Sequence, residues 1–380
     1  MGGTPRLTIG ARDMIITLLL FCISYFIVTL LLLKGIQRKY DKSGSQPTIS
    51  ILIPARNEGE NIERCLYSLA NLDYPANKLE ILILNDRSTD ETAMIAQNFC
   101  TKYKHFRLLT IEKDDAGLSG KMNVLAQGLE SATGEIILVT DADCEVNRPW
   151  AAGLVSYFTC DTGMVGGVTV LARPDRNESW FTRIQALDWL YLQCVAAGMT
   201  GIGHPVSILG NNFAFRKAAY EAVGGFRKIG FSLTEDMALM QAIIRRTNWK
   251  IKYTLYPETL IYSQAEKTIK SLVQQRLRWL SGGLKSPLGG WIIMLIAFFT
   301  HLSIGLAFFL NGLWLAALPG LIAVFVADFS LLYLLIRRLY LHYLMSSFVP
   351  FELYYFIYSI FLAILAPFRP RLTWKNRSYK

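Results

Sequence analysis

The apolar positions of this chain fall into two dense blocks separated by a stretch of alternating pattern. From Met14 to Leu33, twenty consecutive positions carry no charge. About 20 apolar residues suffice to cross the hydrocarbon core of a bilayer, so the stretch predicts a membrane helix over 14–34. A secretory leader would have a shorter apolar centre and a small-residue cleavage site. Here Lys34, Arg38 and Lys39 follow instead, which reads as an uncleaved anchor. The second block, Gly289 to Pro367, is interrupted at Asn311-Gly312, Pro319-Gly320 and Arg337-Arg338. It predicts about three membrane segments, near 291–310, 313–336 and 344–366. Asp328 lies in the second of these. A carboxylate within a membrane segment marks a candidate functional site, and the plainer expectation is an ion pair with Arg337 or Arg338.

Between the blocks the pattern is that of a soluble α/β domain over 48–265. Short apolar runs at 48–54, 79–84, 106–111 and 135–140 predict strands, and the run at 60–71 predicts a helix. Ser88, Thr89 and Asp90 are residue types that cap helix N-termini, so a further helix is expected from about Glu91. Strands alternating with helices imply a mostly parallel sheet covered on both faces. In such sheets ligands sit beyond the carboxyl ends of the strands, which here are Pro54–Glu58, Asp86 and Asp141–Asp143. An aromatic-rich helix is expected over 176–196, docked on a membrane surface. Another helix starts at Thr234-Glu235-Asp236. Over 266–288, Ile269, Leu272, Val273, Leu277 and Leu280 recur at near-helical spacing among Lys267, Lys270, Arg276 and Lys285. That is the pattern of an amphipathic helix lying among lipid headgroups. The remaining divisions are an N-terminal segment 1–13, a basic linker 35–47, the membrane block 289–366 and a basic tail 367–380.

Charge refines this picture. The 39 Lys and Arg against 29 Asp and Glu leave a net charge of +10. The basic residues flank apolar segments and form no stripe interleaved with aromatics, which argues against nucleic acid as a partner. Lys34, Arg38, Lys39 and Lys42 outweigh Arg6 and Arg12 across the first helix, so the soluble domain is expected on the cytoplasmic side of an integral membrane protein. The tail, with Arg369, Arg371, Lys375, Arg377 and Lys380, calls for the same side, whereas three full crossings would place it opposite. Either one segment is re-entrant or interfacial, or the charge rule fails here. The six cysteines form no CxxC pair and have no histidine at ligand spacing, which fits reduced thiols rather than structural zinc.

The candidate chemistry lies at the strand ends. Asp141-Ala142-Asp143 follows an apolar strand, and two carboxylates there would repel unless a cation joined them. A hard divalent ion is held in this way, by one or two carboxylates plus substrate phosphates; the plainer reading is a solvated turn. Asp86 ends a neighbouring strand and is left available because Ser88 or Asp90 can cap the helix. Lys121 follows Ser119-Gly120 and is either a phosphate partner or an exposed loop lysine. It is not part of a P-loop, since Met122 follows it. Asp236 at a helix start is a candidate general base, or a simple dipole partner. Asn211 and Asn212 offer amides to a ligand, or make a turn. Gln275, Arg278 and Trp279, spaced i, i+3 and i+4, share one helix face.

Taken in order, Asp86, Asp141-Ala142-Asp143, Thr234-Glu235-Asp236 and Gln275-Arg276-Leu277-Arg278-Trp279 resemble the family 2 inverting glycosyltransferases of the membrane-bound QxxRW type. These include lipid-directed glucosyltransferases and, more distantly, chitin and hyaluronan synthases. Pro54-Ala55-Arg56-Asn57-Glu58, Ser119-Gly120-Lys121 and Gly210-Asn211-Asn212 are also similar to that family. The resemblance covers about 48–285. It implies a GT-A-like α/β fold with N-terminal and C-terminal transmembrane helices, and a nucleotide-sugar donor, a UDP-sugar above others. Pro54, Glu58, Asp86, Lys121 and Asp141 would bind the donor, and Asn211 and Asn212 the sugar. Asp143 would hold Mg2+ or Mn2+, and Asp236 would be the base. Arg278, with Gln275 and Trp279, would hold the diphosphate and the acceptor. Asn85 departs from the family, where a second Asp is common, and little loss is expected from it. The expected reaction transfers a hexose with inversion to a hydroxyl of a membrane lipid. Processive or oligomer-forming polysaccharide synthesis is the alternative.

Overall fold

The computed structural model describes residues 9–115, 117–309, 313–365, 372–374 and 377–379. Helix α1 (Ile9–Ile36) leads into β1 (Ile49–Ala55), α2 (Ile62–Ala70), β2 (Leu79–Asn85), α3 (Thr92–Lys102), β3 (Phe106–Thr110), α4 (Gly120–Ser131) and β4 (Ile136–Thr140). β1 pairs in parallel with β2 and β4, and β2 with β3. β1, β2 and β4 are mostly apolar and buried because helices cover both faces of the sheet, while the edge strand β3 is more accessible, with Arg107 exposed. α2 turns Ile62, Cys65, Leu66 and Leu69 inward, the helical spacing that made it legible.

After β4 the alternation breaks down. The chain continues through β5 (Glu145–Val146), α5 (Trp150–Val155), β6 (Thr162–Gly166), β7 (Val168–Val170), α6 (Trp180–Gly201), β8 (Asn212–Arg216), α7 (Lys217–Ala222), α8 (Gly225–Ile229), α9 (Glu235–Arg246), β9 (Lys250–Tyr253) and β10 (Leu260–Tyr262). The main sheet has the order β3-β2-β1-β4-β8-β6-β9. β8 runs antiparallel to both its neighbours, while β6 and β9 are parallel. The sheet is therefore mostly parallel, as expected. A small sheet β5-β10-β7 lies beside it.

α10 (Ile269–Gly283) opens with a capping box between Thr268 and Ser271 and leads to α11 (Leu288–Phe309), α12 (Trp314–Leu339) and α13 (Phe348–Leu365). The tail forms β11 (Leu372–Trp374) and β12 (Arg377–Tyr379). Four helical stretches, 12–36, 288–309, 314–339 and 342–361, are long and apolar enough to cross a membrane. Their outward faces carry exposed Leu20, Ile23, Ile27, Leu315 and Ile322, surface that suits lipid rather than water.

Some expectations change here, though the segment expected over 313–336 is one helix, α12, across Pro319-Gly320. Membrane helices tolerate proline where neighbours satisfy the freed carbonyl. Asp328 does not pair with Arg337 or Arg338; it accepts hydrogen bonds from the hydroxyls of Tyr25 (2.7 Å) and Tyr191 (3.0 Å). Arg338 instead donates to the carbonyl of Ile36. The aromatic-rich helix, α6, is not docked on a surface: Ile184 to Gly201 is almost wholly buried. It packs along α1 with the two backbones touching at Gly35, Gly198 and Gly201, and α12 and α13 also lie against it. The Asn311-Gly312 break and most of the basic tail lie outside the described residues. All six cysteines are free thiols.

Candidate active site

The loops after β1 and β2 lock together. The amide of Asn57 donates to Ser88 Oγ, that of Thr89 to Asn57 Oδ1, and that of Gly59 to Asp90 Oδ2. Asn57 and Arg87 take positive φ, 51° and 53°, uncommon for residues with side chains. These turns hold Pro54, Glu58 and Asp86 on the rim of one cavity. Asp86 is buried, and its Oδ1 accepts from Arg87 Nε (2.9 Å) and Nη2 (2.8 Å). Asn85 only shapes the turn, its Oδ1 accepting from the amide of Ser88 at 3.2 Å.

Asp141 and Asp143 follow β4 and line the same cavity. Lys121 stands in the first turn of α4 rather than in a loop. Its Nζ lies 2.6 Å from Asp141 and 3.1 Å from Glu235, and donates to the carbonyl of Gly210 at 2.8 Å. It therefore ties the strand-end carboxylates to the start of α9. Burial alone would lower its pKa, but the carboxylates of Asp141 and Glu235 outweigh that and raise it. Sequence reading left this lysine between a phosphate partner and an exposed loop residue, with nucleotide binding implied by the family resemblance, and gave Glu235 no role.

Asp236 is buried at the N-terminus of α9, with the amide of Met237 donating to its Oδ1 at 2.7 Å. Its pKa is raised to about 8, first by burial and then by the Glu235 charge beside it. Gly210 faces both acids: a Cβ there would stand 3.0 Å from Asp236 Oδ2 and 3.3 Å from Glu235 Oε1, close enough that a larger residue would push on the two carboxylates. Asn211 lines the cavity and accepts from Thr169 Oγ1 at 3.0 Å. Asn212 does not face the cavity, which corrects the expectation of a substrate contact. Its side chain is fully used, accepting from Trp150 Nε1 (2.9 Å) and donating to the carbonyls of Val168 (2.8 Å) and Thr259 (3.0 Å).

Gln275, Arg278 and Trp279 on α10 complete the wall. Gln275 Nε2 donates to Glu266 Oε1 at 2.9 Å. The Trp279 ring lies against Trp189, 4.4 Å between centroids. Arg276, expected to reach lipid headgroups, is instead 1 % exposed. Its Nη2 meets Asp188 Oδ2 at 2.5 Å, Nη1 donates to Gln275 Oε1 at 2.9 Å, and the guanidinium sits 4.1 Å from the centre of the Trp279 ring. Burial pushes the Asp188 carboxyl up while the guanidinium pulls it down. A neutral acid here would leave a buried guanidinium without a counter-charge, so the pair is ionised. Sequence reading missed Asp188 and Trp189.

The whole arrangement lines an open cavity of about 1120 Å3. It extends past Trp189 and Trp279 to Tyr25 and Thr29 on α1, Met294 and Phe298 on α11, and Tyr355 on α13. Among the described residues, no three His, Cys, Asp or Glu side chains converge as a complete metal cage. Two hard carboxylates at a strand end fit a divalent ion that draws its remaining ligands from phosphate oxygens.

The chain is 32% identical over 266 residues to the beta-monoglucosyldiacylglycerol synthase of Nostoc sp., covering 68% of this chain and 54% of that protein. It is 30% identical over 236 residues to a poly-beta-1,6-N-acetyl-D-glucosamine synthase of Staphylococcus epidermidis, covering 62% and 54%. The chain thus spans about half the length of the curated relatives it matches. A mannosyltransferase from Pyrobaculum calidifontis, solved with GDP-Man and Mn2+, superposes with a TM-score of 0.62 at 18% identity over 93% of this chain and 99% of that one, which shows the GT-A-like fold. The model of glycosyl transferase family 21 matches residues 14–380, and the chain belongs to that family.

Proposed function

We propose that this protein transfers a hexose from a nucleotide-sugar to a hydroxyl of a membrane lipid, with inversion and with a divalent metal. The observation that carries the reading is the continuous cavity. A donor at the strand ends and a lipid among α1, α11 and α13 would share one continuous space, so an acceptor can meet the donor without leaving the membrane helices. The lipid acceptor named for the Nostoc relative agrees with this.

In this scheme Pro54, Glu58 and Asp86 cradle the nucleoside, and Asp141 and Asn211 orient the sugar. Asp143 would hold Mg2+ or Mn2+, which would supply positive charge to the diphosphate. Lys121 keeps Asp141 and Glu235 in place, a positioning role. The acceptor oxygen attacks the anomeric carbon opposite the diphosphate as its proton passes to Asp236. The anomeric C–O bond breaks with its electron pair leaving on the nucleoside diphosphate, steadied by Arg278. One displacement turns an α-linked donor, a UDP-sugar on the family resemblance, into a β-glycoside. Lys34, Arg38 and Lys39 at the end of α1 favour a cytoplasmic catalytic domain.

The test is product analysis in reconstituted membranes with a radiolabelled UDP-sugar. A single-sugar product extractable into organic solvent is expected, and Trp279→Ala should weaken acceptor use far more than donor binding. A ladder of oligomers would refute the lipid reading in favour of polymer synthesis, the activity named for the Staphylococcus relative.

A further inference from the structure

A second, smaller cavity of about 220 Å3 lies on the far side of the loop that carries the catalytic acids. Its walls are the 229–234 segment, one face of α9 and the end of α10. Three cations line it, Arg245 and Arg246 from the last turn of α9 and Lys285 from the turn into α11, and no acidic residue does. All three are exposed, and among the described residues none is ion-paired with a carboxylate. The amide of Gln241 donates to the carbonyl of Lys285 at 2.9 Å, which holds α9 against the foot of α11. α11 begins at Leu288 and is a candidate membrane span, so Lys285 places this cavity beside the start of that span. Phe231 and Leu288 beside it are exposed apolar side chains.

The plain account of Arg245 and Arg246 is that cations suit a helix C-terminus. That account says nothing of Lys285, which comes from a different element, or of the cleft between them. Three cations without a carboxylate partner, of which Arg246 also donates to the carbonyl of Val223 at 3.1 Å, surround a recess at the foot of a candidate span and match a phosphate with acyl chains directed into the bilayer. The recess also adjoins the catalytic loop. Thr234, immediately before Glu235 and Asp236, lines it and packs against Gly282, where a Cβ would stand 2.5 Å from Thr234 Cγ2.

We propose that this recess is a regulatory site for the headgroup of an anionic phospholipid, and that its occupancy steadies the Gly230–Thr234 segment and with it Asp236. The site is distinct from the acceptor's and stands whatever the acceptor is.

The experiment uses the full chain, reconstituted in phosphatidylcholine vesicles with rising fractions of phosphatidylglycerol, with diacylglycerol as acceptor. A parallel series follows the thermal unfolding midpoint in detergent with phosphatidylglycerol added. Transfer and midpoint should both rise with phosphatidylglycerol. Each basic side chain near an anionic surface is worth about fivefold in binding, so Arg245→Gln/Arg246→Gln/Lys285→Gln should raise the fraction needed for half-activation by more than tenfold. Its rate in pure phosphatidylcholine should match the wild type. Lys267→Gln/Lys270→Gln, exposed near the start of α10 and outside the recess, should keep the full response; an equal loss there would overturn the site in favour of general surface attraction. An undiminished response in the triple variant, or no response in the wild type, would also overturn it. Full activation by free glycerol phosphate would overturn the assignment to a lipid. A phosphatidylglycerol-dependent midpoint without any lipid product would support this site while refuting the acceptor reading.

Discussion

Removing the carboxylate at position 188 would isolate a guanidinium that has almost no access to water. Arg276 is 1 % exposed and Asp188 fully buried, and Tyr354 also donates to Asp188 Oδ2 at 3.3 Å. Breaking a buried pair from one side costs about 3–5 kcal/mol, whereas replacing both partners by apolar residues of similar volume is often neutral or stabilising. This pair is not fully satisfied, since Asp188 Oδ1 and Arg276 Nε have no hydrogen-bond partner, so its net contribution to stability is small. Asp188→Asn should therefore unfold several degrees below the wild type in detergent, while Asp188→Leu/Arg276→Met should unfold close to it. The double variant should nevertheless be impaired in acceptor use. It loses the cation 4.1 Å from the Trp279 ring, an interaction worth about 0.5–2 kcal/mol, and the bond that orients Gln275. The Michaelis constant for the acceptor should rise by about two- to thirtyfold, with that for the donor little changed. Thermal unfolding and acceptor-saturation kinetics on the three proteins separate the two effects. A double variant as unstable as Asp188→Asn would refute the energetic argument, and one with unaltered acceptor kinetics would refute the positioning argument.

Asp143→Asn should abolish transfer, and EDTA should do the same to the wild type; full activity in EDTA with an equally active variant would refute the metal's place. Asp236→Asn should bind the donor normally and lose about 10²–10⁴-fold in turnover, which single-turnover kinetics can separate. Because the base must be ionised and its pKa is raised to about 8, kcat/KM should climb with pH up to that value. The Glu235 charge contributes to the rise, so Glu235→Gln should move the acid limb to lower pH, and a shift upward would contradict the assignment. Gly35→Ala would set a methyl into the carbonyl oxygen of Gly198. Forcing α1 from α6 in this way should cost about 1–3 kcal/mol, read as a lower unfolding midpoint.

Adjacent residues show where sequence reading succeeded and where it failed. The loops at Pro54–Glu58, Asp86 and Asp141–Asp143 were legible because a buried parallel strand announces its own carboxyl end, and the chemistry sits on the next few residues. Asn211 and Asn212 looked interchangeable, yet only the first faces the cavity. Successive side chains at a strand start point to opposite sides, and β8 runs antiparallel between β4 and β6, a placement that local pattern does not encode. Arg276 failed for a longer-range reason. On an amphipathic helix among Lys267, Lys270 and Lys285 it has the look of a headgroup ligand. Its partner lies 88 residues upstream, in a helix whose aromatic content suggested a membrane surface. The two misreadings have one cause. α6 carries apolar residues on every side because it packs against α1, α12 and α13, and an enclosed helix shows no clear amphipathic stripe to tell it from one that meets lipid. Once α6 is inside, its single carboxylate must be neutralised from a neighbouring helix. The arginine between Gln275 and Trp279 does so, which binds the motif that closes the active site to the helix that carries the acceptor cavity.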